Sequence, residues 1–412
     1  MNKKFIILAA MAAVFGMSFT ACSNDDETPA VKGGNQPAMT RAISFVNYMD
    51  NAPTTRGLAA SLGDIQTDGM SVWAFDATKE TAINNEGGQY FMGGYSAGLA
   101  HTWNGTNSYY KAAADYFWPE YNLNFVALTP QSGGGIGAIT CSQAAADLTD
   151  PESPVLAKPV MTVAVDVPLT TESAGTYGSD TQKDIMIASI EGQTPLTSGS
   201  AALTFKHALS QLVFKGVIDH ETTIHKAVVK SIKLVNVASD GTITYTAATD
   251  AFSAAINDGV GAAGQTKTYA ANIVNSTVTK LDNNTDGPES SVLADAISGQ
   301  ADNADGRDYQ LMILPQTSVT CTDVTNAVNV SQKNAPTAGT YFLVNADLYA
   351  NNNNVDKVIS STTNVYIPLA ETTWAPGTKY TYTFKFGDNL MHPITFTAAI
   401  SDWTDAAKNV EF

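Results

Sequence analysis

Cysteine is scarce in this chain, with Cys22, Cys141 and Cys321 the only three in 412 residues. Cys141 and Cys321 stand far apart, so a disulfide-stapled scaffold is excluded and buried free thiols are expected. Basic residues are also few: 22 Lys and Arg oppose 39 Asp and Glu, for a net charge of −17, and arginine occurs only three times. An acidic chain so poor in arginine is not expected to bind nucleic acid or an anionic membrane surface. No long stretch carries sustained helical periodicity, which excludes a helical bundle. Catalytic constellations are sparse as well. Gly133-Gly134-Gly135 leads into neither Lys-Ser/Thr nor a helical pattern, so it reads as a loop and not a phosphate cradle. His220 and His225 are five apart, where a zinc-binding helix needs them at i and i+4. The acidic residues are scattered, and His207 beside an apolar strand reads as a structural hydrogen-bonding residue. No catalytic residue, metal ligand or cofactor is expected, and the chain is not expected to be an enzyme.

The N-terminus does carry a signal. Lys3 and Lys4 precede an apolar run from Phe5 to Phe19 that is too short to span a bilayer as a stable helix. Thr20-Ala21-Cys22 follows, then Ser-Asn-Asp-Asp-Glu. This resembles a bacterial lipobox, so residues 1–21 are expected to be a lipoprotein signal peptide and Cys22 the lipidated residue. Residues 22–41 form an acidic, polar tether with Pro29, Pro37 and Gly33-Gly34. The expected location is the outer membrane and cell surface, the lipid serving as anchor before processing.

The rest of the chain, about 390 residues, is too long for one core and predicts two domains. It reads as all-β. Short strands alternate with turn residues, as in Met161-Thr-Val163-Ala-Val165-Asp-Val167, Phe342 to Leu348, and Ile394-Thr-Phe396-Thr-Ala398-Ala-Ile400. Such spacing indicates β-sandwiches. The Pro/Gly/Ser-rich stretch from Gln193 to Ser200 marks the boundary, with an N-terminal domain over 42–197 and a C-terminal domain over 198–412. Within the first, residues 42–56 hold an apolar strand, Ile43 to Met49, followed by an exposed Pro-Thr-Thr-Arg56-Gly loop open to proteolysis. Arg41 is the other candidate processing site, but a cut there leaves that strand attached. The aromatics Trp103, Tyr109, Tyr110, Tyr116, Phe117, Trp118 and Tyr121 read as core packing, with sugar stacking as the alternative.

Five stretches, in order, resemble the fimbrillin family of type V pilus subunits. They are the early strand with Thr55-Arg56, Tyr116 to Pro130, Asp184-Ile-Met-Ile-Ala188, Leu203-Thr-Phe205-Lys-His207-Ala-Leu209, and the ending from Tyr380 through Ile394 to Trp403. The resemblance implies two transthyretin-like β-sandwich domains in tandem. It implies export as a lipoprotein, cutting by an arginine-specific protease, and assembly with other pilin subunits, self or related, by strand exchange. A host protein or glycan is a further expected partner of such an adhesive subunit. Residues 42–56 would be the removable first strand, and Ile394, Phe396, Ala398 and Ile400 would line the donor strand, unless that strand stays in its own domain. The alternative is a monomeric glycan-binding surface lipoprotein that keeps its acylated Cys22.

Overall fold

The computed structural model describes residues 42–49, 62–150, 154–169, 182–194, 200–218, 224–257, 267–270, 276–279, 291–292, 311–322, 332–352, 355–361, 364–387 and 395–402. The chain is all-β there apart from one short helix. In chain order its elements begin with β1 Phe45–Met49, α1 Leu62–Asp68, β2 Met70–Asp76, β3 Leu99–Asn104, β4 Tyr109–Lys111, β5 Leu123–Thr129, β6 Ile136–Gln143, β7 Pro159–Asp166, β8 Met186–Gln193 and β9 Ala201–His207. There follow β10 Ser210–Ile218, β11 Ile224–Val237, β12 Asp240–Thr246, β13 Ala251–Ile256, β14 Lys267–Ala270, β15 Ser276–Thr279, β16 Ser291–Val292, β17 Leu311–Ile313 and β18 Gln316–Thr317. The chain continues with β19 Tyr341–Asn352, β20 Val355–Ser361, β21 Val365–Pro368, β22 Thr373–Trp374, β23 Thr378–Phe386 and β24 Thr395–Asp402.

Seven strands close into a barrel in the order β1-β4-β3-β2-β5-β8-β9, with β9 returning to β1. Every ladder in it is antiparallel except the one between β1 and β9. An open sandwich was expected for this half. The ladder closes instead because β1 bridges two strands, β4 and β9, that would otherwise be free edges.

The alternation of apolar residues shows why the barrel is not isolated. β5 reads as period two, yet all seven of its residues are buried. Its two faces enter different cores. Leu123, Phe125 and Ala127 point into the barrel, beside Met70, Val72 and Ala74 of β2 and Met186 and Ala188 of β8. Val126 and Leu128 join Trp73, Phe75 and Ile187 in a second, larger core outside the barrel wall. That larger core runs on without a break to Phe214, Phe342, Trp374, Tyr382 and Phe384 of the second half.

The second half supplies a sheet ordered β16-β10-β23-β24, with β17 also on β10, and a sheet ordered β14-β11-β19-β20, with β15 and β21 attached. A four-stranded sheet, β13-β12-β7-β6, combines strands from both halves. Its ladder between β7 and β12 runs from Val160↔Thr246 to Asp166↔Asp240. Residues 201–207, past the 197/198 boundary expected from composition, likewise pair with β8 and β1. Loop composition marks where the chain leaves one strand, whereas partner choice is set by long-range packing that composition does not encode. Ala251–Ile256 forms an edge strand that is mostly exposed and carries no periodic apolar signal.

The Gly133-Gly134-Gly135 stretch is a tight turn into β6, with φ of +86°, +63° and +84°. Gly135 carbonyl accepts a 2.8 Å bond from the Asp166 amide. A side chain at Gly135 would collide with the Asp166 carbonyl and strain a left-handed backbone. Gly135→Ala is therefore expected to lower stability by at least about 1 kcal/mol, read as a reduced urea midpoint with an unchanged slope; an unaltered midpoint would show that this turn relaxes freely.

Candidate functional site

The seam closed by β1 is the most distinctive site. Its five residues pair in parallel with β9, from Phe45↔Ala201 to Met49↔Phe205, and Phe45 pairs antiparallel with Tyr110 of β4. The run-in to the strand is held too. Ile43 amide donates to Tyr116 carbonyl at 2.6 Å, Ala42 bridges Phe117, and the Ala201 amide donates to Ser44 carbonyl at 2.9 Å. The Ser44 and Ser200 hydroxyls lie 2.6 Å apart. Ile43 and Phe45 are buried, with Phe45 wholly inaccessible. The Phe45 ring stands edge-on to His101 at 5.2 Å and to Phe125 at 5.1 Å, and Trp118 backs Phe125 at 5.7 Å. Such edge-to-face pairs add to the burial of each ring. Helix α1 packs against β1 and β3 through buried Ile65, and its last residue, Asp68, bonds Lys183 at 2.6 Å. β1 and its run-in thus contribute the plug of the barrel, two buried apolar side chains, Ile43 and Phe45, and two main-chain ladders.

His101 is the titratable group of this pocket. It is fully buried on β3, and its Nδ1 lies 2.9 Å from the Leu99 carbonyl. A carbonyl only accepts, so Nδ1 carries the proton and donates. Nε2 is buried with no hydrogen-bond partner among the described residues. A second proton on Nε2 would place a charge among the Phe45 and barrel side chains, and burial accordingly holds the imidazole pKa below its usual 6.5.

The remaining candidates divide clearly. Cys22, Arg41, Arg56 and Ile394 lie outside the described residues. Phe396, Ala398 and Ile400 fall in β24, paired with Phe384, Tyr382 and Tyr380 of β23. Among the described residues β24 hydrogen-bonds to β23 alone, which makes it the edge of its sheet. Cys141 and Cys321 are buried free thiols, and burial raises the Cys321 pKa to about 11. His207 Nδ1 and Asp184 Oδ2 form a buried pair at 2.5 Å that fastens the lead-in to β8 to the end of β9. His225 bonds Asp356 at 2.7 Å on the surface. No cluster of three or more His, Cys, Asp or Glu with metal-binding geometry occurs among the described residues. Of the aromatic cluster, Tyr110 and Trp118 are core, whereas Phe117 is 43% and Tyr121 37% exposed.

One motif escapes a reading by alternation. Gly94-Tyr95-Ser96-Ala97-Gly98 spells Gly-x-Ser-x-Gly. A nucleophile elbow needs a strand-to-helix turn and a histidine at the serine. Ser96 here is exposed in a turn closed by a 2.7 Å bond from Gly94 amide to Ala97 carbonyl, and its hydroxyl donates to Glu86 at 2.5 Å. Gly94 carbonyl accepts from Trp73 Nε1 at 2.8 Å, and any side chain at Gly98 would strike the Trp73 ring. The two glycines serve the packing of Trp73.

The family whose model matches this chain is described as fimbrillin-like, and the match covers residues 59–403. Among solved structures the chain is similar to a fimbrial protein from Bacteroides vulgatus, at 15% identity and a TM-score of 0.51, over 89% of this chain and 100% of that one. It is also similar to candidate cell adhesion proteins from Bacteroides uniformis and Bacteroides ovatus. Both are 13% identical over 90% of this chain, with TM-scores of 0.41 over 100% of the first and 0.42 over 99% of the second. No curated protein matches it.

The His101 geometry predicts a pH dependence of the seam. Because the native pKa lies below 6.5, the unfolded chain binds the proton first as pH falls. The stability that neutral His101 contributes is present above pH 6.5 and is lost as pH falls from there toward the native pKa. Urea midpoints at pH 7.5 and pH 5 should differ by less in His101→Phe than in the unaltered chain. Equal differences would show that His101 titrates normally in the fold.

Proposed function

The chain belongs to the fimbrillin-like family, and from that premise we propose that it is a structural and adhesive subunit of a cell-surface pilus, exported as a lipoprotein through Cys22 and assembled with other pilin subunits by protease-triggered strand exchange. The observation that carries this reading is the parallel seam of β1. One short N-terminal strand plugs a barrel whose other six strands follow in sequence, and it is joined to them through the residues around Arg56. A cut after Arg56 by an arginine-specific protease leaves β1 held only by non-covalent pairing, whereas a cut after Arg41 leaves it attached. The stretch matched by the family begins at residue 59, downstream of Arg56, so β1 stands outside it.

Loss of β1 exposes unpaired backbone on β4 and β9 and an apolar groove between them. A strand from another subunit can restore both the ladder and the burial. The contact is head-to-tail and does not close on itself, which gives a filament. Outgoing and incoming strands bury similar apolar area at roughly 25 cal/mol per Å², so the exchange is close to balanced. Severing β1 from the chain removes its high local concentration and tips the exchange. β24 is the donor in this reading, since an edge strand leaves its sheet by breaking a single ladder. We read the barrel as the first of two transthyretin-like sandwiches, closed along its open edges by the removable strand.

The full mature chain treated with an arginine-specific protease is expected to form oligomers that survive mild denaturation. Arg56→Ala, compared with Arg41→Ala, is expected to stay monomeric. Cleaved, folded protein that remains strictly monomeric would overturn a self-assembling stalk role and leave that of a tip or anchor subunit. A surface-extracted protein whose mass shows intact acylated Cys22 would favour a monomeric glycan-binding lipoprotein, for which exposed Phe117 and Tyr121 are the available rings.

A further inference from the structure

We propose that Ser200 and the ring pocket formed by His101 and Phe125 fix the register of any strand that replaces β1, and that β24 of a second copy of this chain meets that requirement with Thr395 in the place of Ser44 and Phe396 in the place of Phe45. The inference rests on the strand-exchange reading above and specifies its partner and register.

The seam makes two side-chain demands on its occupant at adjacent positions. At the first, a hydroxyl reaches the Ser200 hydroxyl, as Ser44 does at 2.6 Å. At the second, a ring fills the closed space where Phe45 meets His101 and Phe125 edge-on. Ile43, buried two positions before Phe45, adds an apolar residue ahead of the hydroxyl. The recognition element is therefore apolar residue, Ser or Thr, then Phe. A slip by one residue would turn the ring out of the pocket.

Five segments of the chain carry this triplet: Met17-Ser-Phe19, Ile43-Ser-Phe45, Leu203-Thr-Phe205, Tyr382-Thr-Phe384 and Ile394-Thr-Phe396. The first lies in the expected signal peptide. The second is β1 itself. The third is in β9, which is itself a wall of the seam to be filled, and the fourth is in β23, bonded to β10 and β24. The fifth carries its Thr395-Phe396 pair at the start of β24, which among the described residues is held by one ladder. Set in parallel on β9, β24 would pair Phe396 with Ala201 and Ile400 with Phe205, the partners of Phe45 and Met49. It would thus return an apolar residue to each end of the seam. Its eight residues exceed the five of β1, so the register must be chosen and is not forced by length.

Cysteine pairing tests the register directly. Ser44→Cys with Ser200→Cys in the uncleaved chain should form an intrachain disulfide, which establishes that the two positions are in bonding range. Protease-cleaved Ser200→Cys protein is then mixed with cleaved Thr395→Cys protein under oxidised glutathione. The interchain dimer on a non-reducing gel should exceed that from Thr397→Cys at least fivefold. Phe396→Ala in the donor should slow assembly at least tenfold, with circular dichroism confirming its fold. Oligomers that crosslink through Thr397→Cys, or through neither position, would overturn the register and leave strand exchange standing. Absence of any oligomer after cleavage would remove exchange between copies of this chain, and the register with it.

Discussion

Everything in the first half depends on one parallel ladder, β1 on β9. Among the antiparallel ladders of this barrel, β3–β4 and β8–β9 join strands that follow one another in sequence. The β1–β9 pair joins residues about 156 positions apart, as the Ser44–Ser200 contact illustrates. Such a contact carries a large loop-closure cost and is repaid by burial, here of Ile43 and Phe45. The proposed exchange rests on this arrangement, a strand held mainly by what it buries and joined to the body it plugs by one covalent link.

The same barrel is anchored where β1 is not. β2, β5 and β8 bury both faces, one in the barrel and one in the larger core that continues into the second half. β7 and β12 extend this connection through a ladder across the two halves. β1 and β4 make no such double commitment, since their described apolar side chains belong to the barrel core only. The fold therefore places its strongest packing away from the seam and its weakest attachment at it.

Much of this was legible in the sequence, and the reasons differ by element. The strand from Phe45, β7, β19 and β23 announce themselves by alternation, because each buries a face that the period-two pattern reports. β5 carries the same pattern, yet its intervening positions are buried as well, since Val126 and Leu128 enter the larger core and the Asn124 amide donates to Gln143 and the Ala157 carbonyl. The first strand was visible from local features, namely its apolar run, whereas Arg56 lies outside the described residues. The parallel pairing with β9 was not visible, because register between distant segments is a property of the packed core. Nor were the His101 pocket and the Gly94–Gly98 turn around Trp73, which are defined by what surrounds them.

Hydrogen exchange of the mature chain before and after cutting at Arg56 tests the central claim most directly, namely that β1 alone closes the barrel and can be released from it. Release of β1 should leave amides of Tyr109–Lys111 and Ala201–Phe205 exchanging faster, while those of β2 and β5 stay protected. Protection unchanged at β4 and β9 in completely cut protein that is still monomeric, or lost throughout the barrel, would contradict the account.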